Sequence, residues 1–163
     1  MLSNGTLVVN PGLNLCSGGL VDPGERLVDA VEREVMEETG IKCQFRAIAS
    51  FRESHNSQFG GMTDFYCICA CVLDKKTYYD KQDPTPIPQE KEIAACKWMD
   101  AEEFFNLRFY KRPSLFSDIL KHGYKTAKEV LQYPGNAVYS GANGLGYRRD
   151  AKSGQGIFTS GKL

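Results

Sequence analysis

The chain has 163 residues, and its 20 Lys and Arg balance its 20 Asp and Glu to a formal net charge of zero. Such a balance argues against a broad basic surface for long nucleic acids, but not against a nucleotide held by a few local cations. With 42 % hydrophobic and 25 % charged residues the composition is that of a soluble domain long enough to enclose a core, and it contains no apolar run able to span a bilayer.

In chain order, the opening Met1-Leu2-Ser3-Asn4-Gly5-Thr6 lacks the charged and apolar regions of a secretory leader, so a cytoplasmic protein is expected. Residues 6–9 read as a short strand, and 10–19 as a loop ending in Ser17-Gly18-Gly19. Pro23-Gly24 reads as a turn before a helix over 26–39, which Gly40 would terminate. Residues 43–52 and 62–73 are rich in aromatic, β-branched and cysteine residues and read as strands, with a turn from His55 to Gly61. A polar, proline-rich loop covers 80–91 and a further strand Ala94 to Met99. Helices are predicted from Asp100 to Leu107, with Asp100 as N-cap, and from Ser114 to His122. From Gly135 onward, Gly, Ser, Asn and basic residues predict a mobile tail.

The six cysteines are Cys16, Cys43, Cys67, Cys69, Cys71 and Cys96. Cys67, Cys69 and Cys71 alternate along one predicted strand, a poor arrangement for bridging one another, and no Cys-x-x-Cys pair suggests zinc. They read as reduced, mostly buried small residues.

The chemistry is concentrated between residues 19 and 41. Leu27, Val31 and Val35 recur every four residues, widened by Val28, and form one apolar helix face. Glu34, Glu37 and Glu38 share an adjoining face, because residues three and four apart are neighbours on a helix. Three acids so close repel one another unless a cation sits between them. Taken as bare charges they fit either a solvated acidic face or a site for a hard divalent ion such as Mg²⁺ or Mn²⁺.

Gly19, Glu25, Arg33, Glu34, Val35, Glu37, Glu38, Gly40 and Ile41 match every defining position of the Nudix box. The chain therefore resembles the Nudix hydrolases, which cleave nucleoside diphosphates linked to another moiety. The resemblance implies an α/β fold, an α/β/α sandwich with a mixed sheet, over residues 1–134. It also implies shortened N-terminal strands, because 18 residues precede the box. By the same likeness, Glu34, Glu37 and Glu38 are metal ligands joined by the Gly19 carbonyl, and Glu34 orients or deprotonates the attacking water. Arg33 and Glu25 are expected to brace the loop as an ion pair. Mg²⁺ or Mn²⁺ is the implied cofactor, a small-molecule nucleotide the implied partner, and a homodimer is compatible with the family.

Glu92, ahead of the strand that holds Trp98, matches the position of a further acid in the family; an exposed acid in a charged loop is the equal alternative. Phe51-Arg52-Glu53-Ser54-His55, followed by Asp64-Phe65-Tyr66, resembles a subgroup that includes plant ADP-ribose/NADH-type members and the vertebrate member encoded antisense to a fibroblast growth factor gene. In that likeness Arg52 pairs with a phosphate and His55 hydrogen-bonds substrate. The alternative is a surface ion pair for Arg52 and a turn cap for His55. Trp98 reads as core rather than a stacking platform. Ser17 stands where the subgroup usually has proline. The expected activity is metal-dependent pyrophosphohydrolysis of an ADP-ribose or NADH-like compound; the alternative is a non-catalytic nucleotide- or protein-binding module, its pocket incomplete through the short N-terminus.

Overall fold

The computed structural model describes the backbone of residues 5–10, 15–55, 61–79, 84–131, 145–149 and 156–160, and the side chains of 17–55, 61–79 and 84–128. It is of the α/β class. The elements are β1 (Gly5–Asn10), β2 (Leu15–Cys16), α1 (Leu27–Thr39), β3 (Cys43–Ser54), β4 (Asp64–Leu73), β5 (Ala95–Asp100), α2 (Ala101–Asn106), α3 (Arg108–Lys111), α4 (Leu115–Leu131), β6 (Leu145–Arg149) and β7 (Gly156–Ser160). The strands form two sheets, ordered β2-β1-β5 and β4-β3-β7-β6. β1 runs antiparallel to both β2 and β5, with Leu7 opposite Trp98. No described helix is long and apolar enough to cross a membrane.

The chain divides into two compact units, Met1–Phe45 with Cys71–Leu107, and Arg46–Ala70 with Arg108–Leu163. In the first, α1 follows a tight turn. Glu25 N donates to Asp22 O at 3.0 Å, and Gly24 has φ 82°, the left-handed value that favours glycine at the third position of a turn. The helix ends at Gly40, whose left-handed φ of 66° lets its N–H reach Met36 O. Leu27, Val31 and Val35 are half-buried as their spacing predicts, but Val28 is exposed, and Ala30 and Thr39 are the fully covered residues of that face. Asp100 caps α2 by accepting from the N–H groups of Glu102 and Glu103.

The second unit departs further from the sequence reading. Ser114 and Ser117 exchange side-chain bonds with each other's backbone N–H, at 3.2 and 3.0 Å, and start α4. The helix then runs to Leu131 instead of stopping at His122. Gly123 resembles a terminator in sequence, but in α4 it is a point of close approach to β3 and β4. A Cβ there would lie 2.7 Å from Ile68 Cγ2 and 3.0 Å from Ser50 Oγ. Ser50, itself buried, donates to Ile119 O at 3.2 Å.

Gly123→Ala sets two effects against each other. Alanine gains about 1 kcal/mol of helix propensity, while overpacking a tight contact costs about 1–3 kcal/mol. The expected result is a net loss, read as a Tm fall of a few degrees, at about 2–4 °C per kcal/mol for a chain of this size. A Tm that rises would show that α4 can lift from Ile68 without penalty.

β6 and β7 lie where the sequence reading has a mobile tail. They pair with each other, and β7 continues onto β3 with Arg52 opposite Ile157. The other residues of 135–163, the boundary at 134, and positions 56–60 of the expected turn lie outside the described residues.

Five cysteines are described, all as free thiols: Cys43, Cys67, Cys69, Cys71 and Cys96. Burial pushes Cys69 up to about 12 and Cys67 upward as well, so both hold their protons at neutral pH.

Candidate active site

The first unit gathers most of the sequence-predicted residues at α1 and the loop before it. Arg33 is the hub. Its Nε and Nη2 donate to the two carboxylate oxygens of Glu25, both at 2.9 Å, the bidentate geometry that suits guanidinium to carboxylate. Nη2 also reaches Leu20 O at 3.1 Å, and Nη1 donates to Glu34 at 2.9 Å and Glu37 at 3.0 Å. One side chain thus ties the 20–25 loop to the acidic face of the helix. These are the bracing contacts expected of Arg33 and Glu25.

The arrangement has a pH signature. The hydrogen bond from Arg33, then the backbone N–H of Asp22, hold the Glu25 carboxyl at about 2, against an ordinary value of 4.5. A depressed folded-state value means that the stabilisation is fully present above the unfolded value and is lost as pH falls through the folded one. The unfolding midpoint is therefore expected to decline between pH 4.5 and about 2. In Glu25→Gln that part of the profile flattens; an unchanged slope would refute the assignment.

Glu34 and Glu38 lie one turn apart on α1, both half-buried. Gly19 packs directly against the Glu34 carboxylate, so that a Cβ on residue 19 would overlap it. Glu38 Oε2 accepts from Ser17 Oγ at 2.5 Å and from Gly18 N at 3.1 Å. Burial pushes the Glu38 carboxyl above its ordinary value; the bonds from Ser17 and Gly18 oppose the shift, and the nearby carboxylates of Glu34 and Glu92 reinforce it. The loop residues Ser17–Gly19 thereby fit onto Glu34 and Glu38, and Glu92 stands within electrostatic reach although it lies on a distant turn.

A half-buried carboxylate among other carboxylates favours a cation. An all-oxygen donor set of Glu34, Glu38 and the Gly19 backbone suits a hard divalent ion. Glu37 is the more exposed of the three box acids and turns to Arg33. Among the described residues no three His, Cys, Asp or Glu side chains stand close enough to enclose an ion; Arg33 holds one oxygen each of Glu34 and Glu37.

Arg52 and His55 belong to the second unit. Arg52 Nη2 lies 3.9 Å from Asp64 Oδ2, and its guanidinium sits 5.3 Å from the centre of the Tyr66 ring. His55 Nδ1 meets Thr63 Oγ1 at 3.1 Å, and its ring is more than half exposed. The Arg52–Asp64 pair is largely covered, so it is not the surface ion pair raised as the alternative, and the turn that His55 would cap lies partly outside the described residues.

Two contributors escaped the sequence reading. Ser17 registered only as a departure from proline, although a hydroxyl directly before Gly-Gly is a ready donor to a helix carboxylate. Gln89 carried no signal; its N–H donates to Glu38 O at 3.1 Å and its C=O accepts from Glu92 N at 3.3 Å.

The NUDIX domain model matches residues 8–117, which include all of these groups. Nudix hydrolase 6 of Arabidopsis thaliana is 35 % identical over 117 residues, covering 72 % of this chain and 38 % of that protein. Nucleoside diphosphate-linked moiety X motif 6 of Mus musculus is 38 % identical over 86 residues, covering 52 % of this chain and 25 % of the relative. Its Xenopus laevis counterpart is 32 % identical over 134 residues, covering 76 % and 56 %. The chain spans roughly a quarter to just over half of the length of these curated relatives. A domain match over two-thirds of the chain, which takes in the loop and helix that Arg33 ties together, establishes that the chain belongs to the Nudix family.

Proposed function

We propose that this chain is a divalent-metal-dependent pyrophosphohydrolase that cleaves a nucleoside diphosphate linked to another moiety and releases a nucleoside monophosphate. ADP-ribose or an NADH-like dinucleotide is the favoured substrate. The observation that carries the reading is the fit of Ser17–Gly19 onto Glu34 and Glu38, with Glu92 in electrostatic reach. Membership of a family whose Arabidopsis thaliana relatives are named Nudix hydrolases supports the activity class, and Nudix hydrolases generally use divalent ions.

Glu34, Glu37, Glu38 and the Gly19 carbonyl would hold Mg²⁺ or Mn²⁺, which when bound polarises a phosphoryl group and offsets its charge. Glu34 orients or deprotonates the attacking water, and Glu92 serves as a second acid or base. Ser17 and Gly18 fix the Glu38 carboxylate by two hydrogen bonds, so that less freedom is lost when it binds. Arg52 pairs with a substrate phosphate and His55 hydrogen-bonds substrate.

The test is Mg²⁺-dependent product release from ADP-ribose, NADH, coenzyme A, diadenosine polyphosphates and oxidised nucleoside triphosphates, resolved by chromatography. Monophosphate release that needs Mg²⁺ supports the proposal and names the substrate. Silence across the panel from demonstrably folded protein would overturn it in favour of a nucleotide- or protein-binding module.

A further inference from the structure

The segment that delivers Glu92 is unusual in backbone freedom. Pro84-Thr85-Pro86-Ile87-Pro88 alternates prolines. Each proline fixes its own φ, and each residue before a proline is driven to extended geometry, so the whole stretch is stiff. It has only two N–H groups, on Thr85 and Ile87. Ile87 N donates to Thr39 O at 2.8 Å, and the next donor, Gln89 N, reaches Glu38 O at 3.1 Å. Both acceptors are last-turn carbonyls of α1 that the helix itself leaves free.

Beyond this attachment the chain closes a turn, with Ile93 N donating to Gln89 O at 2.9 Å and Glu92 N to the same oxygen at 3.3 Å. Glu92 therefore moves with Gln89. At the other end of the strap, Trp98 on β5 donates its indole Nε1 to Pro84 O at 2.7 Å. A stiff segment held at one end only can swing about that end; Ile87 and Gln89 hold the end toward Glu92, and the Trp98 bond fixes the other.

We propose that Trp98 is a positioning residue for Glu92: its indole N–H pins the outer end of the proline strap, so that the strap fixes the turn that carries Glu92 against the Glu38 end of α1. The inference rests on the proposed hydrolysis only for its consequence in turnover. The pin itself is a structural claim with its own readout.

Trp98→Phe keeps an aromatic ring and deletes the donor. Amide hydrogen exchange of Ile87 and Gln89 is expected to accelerate roughly three- to tenfold, the range of one neutral hydrogen bond, while exchange within the core of α1 stays as in wild type. kcat is expected to fall by a similar factor with KM little changed, and the fall disappears when Trp98→Phe is made in a Glu92→Gln background. Gln89→Pro removes the bond to Glu38 O without touching β5 and is expected to reproduce the faster exchange at Ile87 and the fall in kcat, which keeps the test available should Trp98→Phe fold poorly. Unchanged exchange overturns the pin. A kcat loss of equal size in the wild-type and Glu92→Gln backgrounds, an effect confined to KM, or a Glu92→Gln variant as active as wild type overturns the link to Glu92. A wild-type protein that turns over no substrate would end the hydrolase reading, and exchange alone would then decide the pin.

Discussion

Glu38→Gln is expected to lose Mg²⁺-dependent turnover by roughly 10²–10⁴-fold, the range for removal of a group acting directly in the reaction, with no loss of stability in metal-free buffer. The two halves of this expectation share one cause. Glu38 is half-buried near Glu34 and Glu92, surroundings that disfavour its charged form. Glutamine has the same shape, carries no charge, and offers an amide oxygen to Ser17 Oγ and Gly18 N, which bond Oε2 in the native side chain. The variant should therefore unfold at the same temperature as wild type, or higher, when Mg²⁺ is absent. On adding Mg²⁺, wild type gains stability by mass action and the variant does not. Thermal unfolding with and without Mg²⁺ reads this independently of any substrate. A variant that keeps both its turnover and its Mg²⁺-induced shift in Tm would remove Glu38 from the metal site.

What was legible in the sequence depended on the range of the interactions that decide each element. α1 and its ends were legible because their causes are local. The Asp22–Glu25 turn needs Gly24, the helix stop needs Gly40, and the Arg33–Glu25 pair spans only two turns of chain. The Asp100 cap was legible for the same reason. α4 beyond His122 was not, because local propensity penalises Gly123 and only the packing against Ser50 and Ile68 explains it. β6 has Tyr147 as its one strong strand former, and β7, although it holds Ile157, Phe158 and Thr159, is a run of five residues in a stretch rich in Gly, Ser and basic residues; β7 pairs with β3 and β6 with β7, non-local events that composition does not register. Among the site residues, Glu34, Glu37 and Glu38 were visible through helix spacing. Glu92 was visible only through resemblance, because what brings it to Glu38 is a strap seated on helix carbonyls by backbone groups, which have no side-chain signature. Ser17 shows the opposite failure. Measured against a family pattern it is a missing proline, whereas in the fold it is a donor to the carboxylate it faces.

Gly19→Ala is expected to separate chemistry from folding. The three atoms nearest the added methyl would all belong to the carboxylate of Glu34, the far end of a flexible side chain. The protein can relieve the overlap by turning that side chain away, and the partner that restrains it is the Nη1 of Arg33, which also bonds Glu37. Stability should therefore stay within about 0.5 kcal/mol of wild type, as for a surface substitution. Turnover should fall about 10²-fold, the penalty for displacing a reacting group by about 1 Å. On the proposed metal site, glycine serves here because the 17–19 loop would have to come close enough to Glu34 for its carbonyl and the carboxylate to face one ion, a demand made by the site and not by the fold. Thermal unfolding together with kcat/KM checks the expectation. An alanine variant that is folded and fully active would mean that Glu34 works from a different rotamer, and the Gly19–Glu34 contact would then be packing alone.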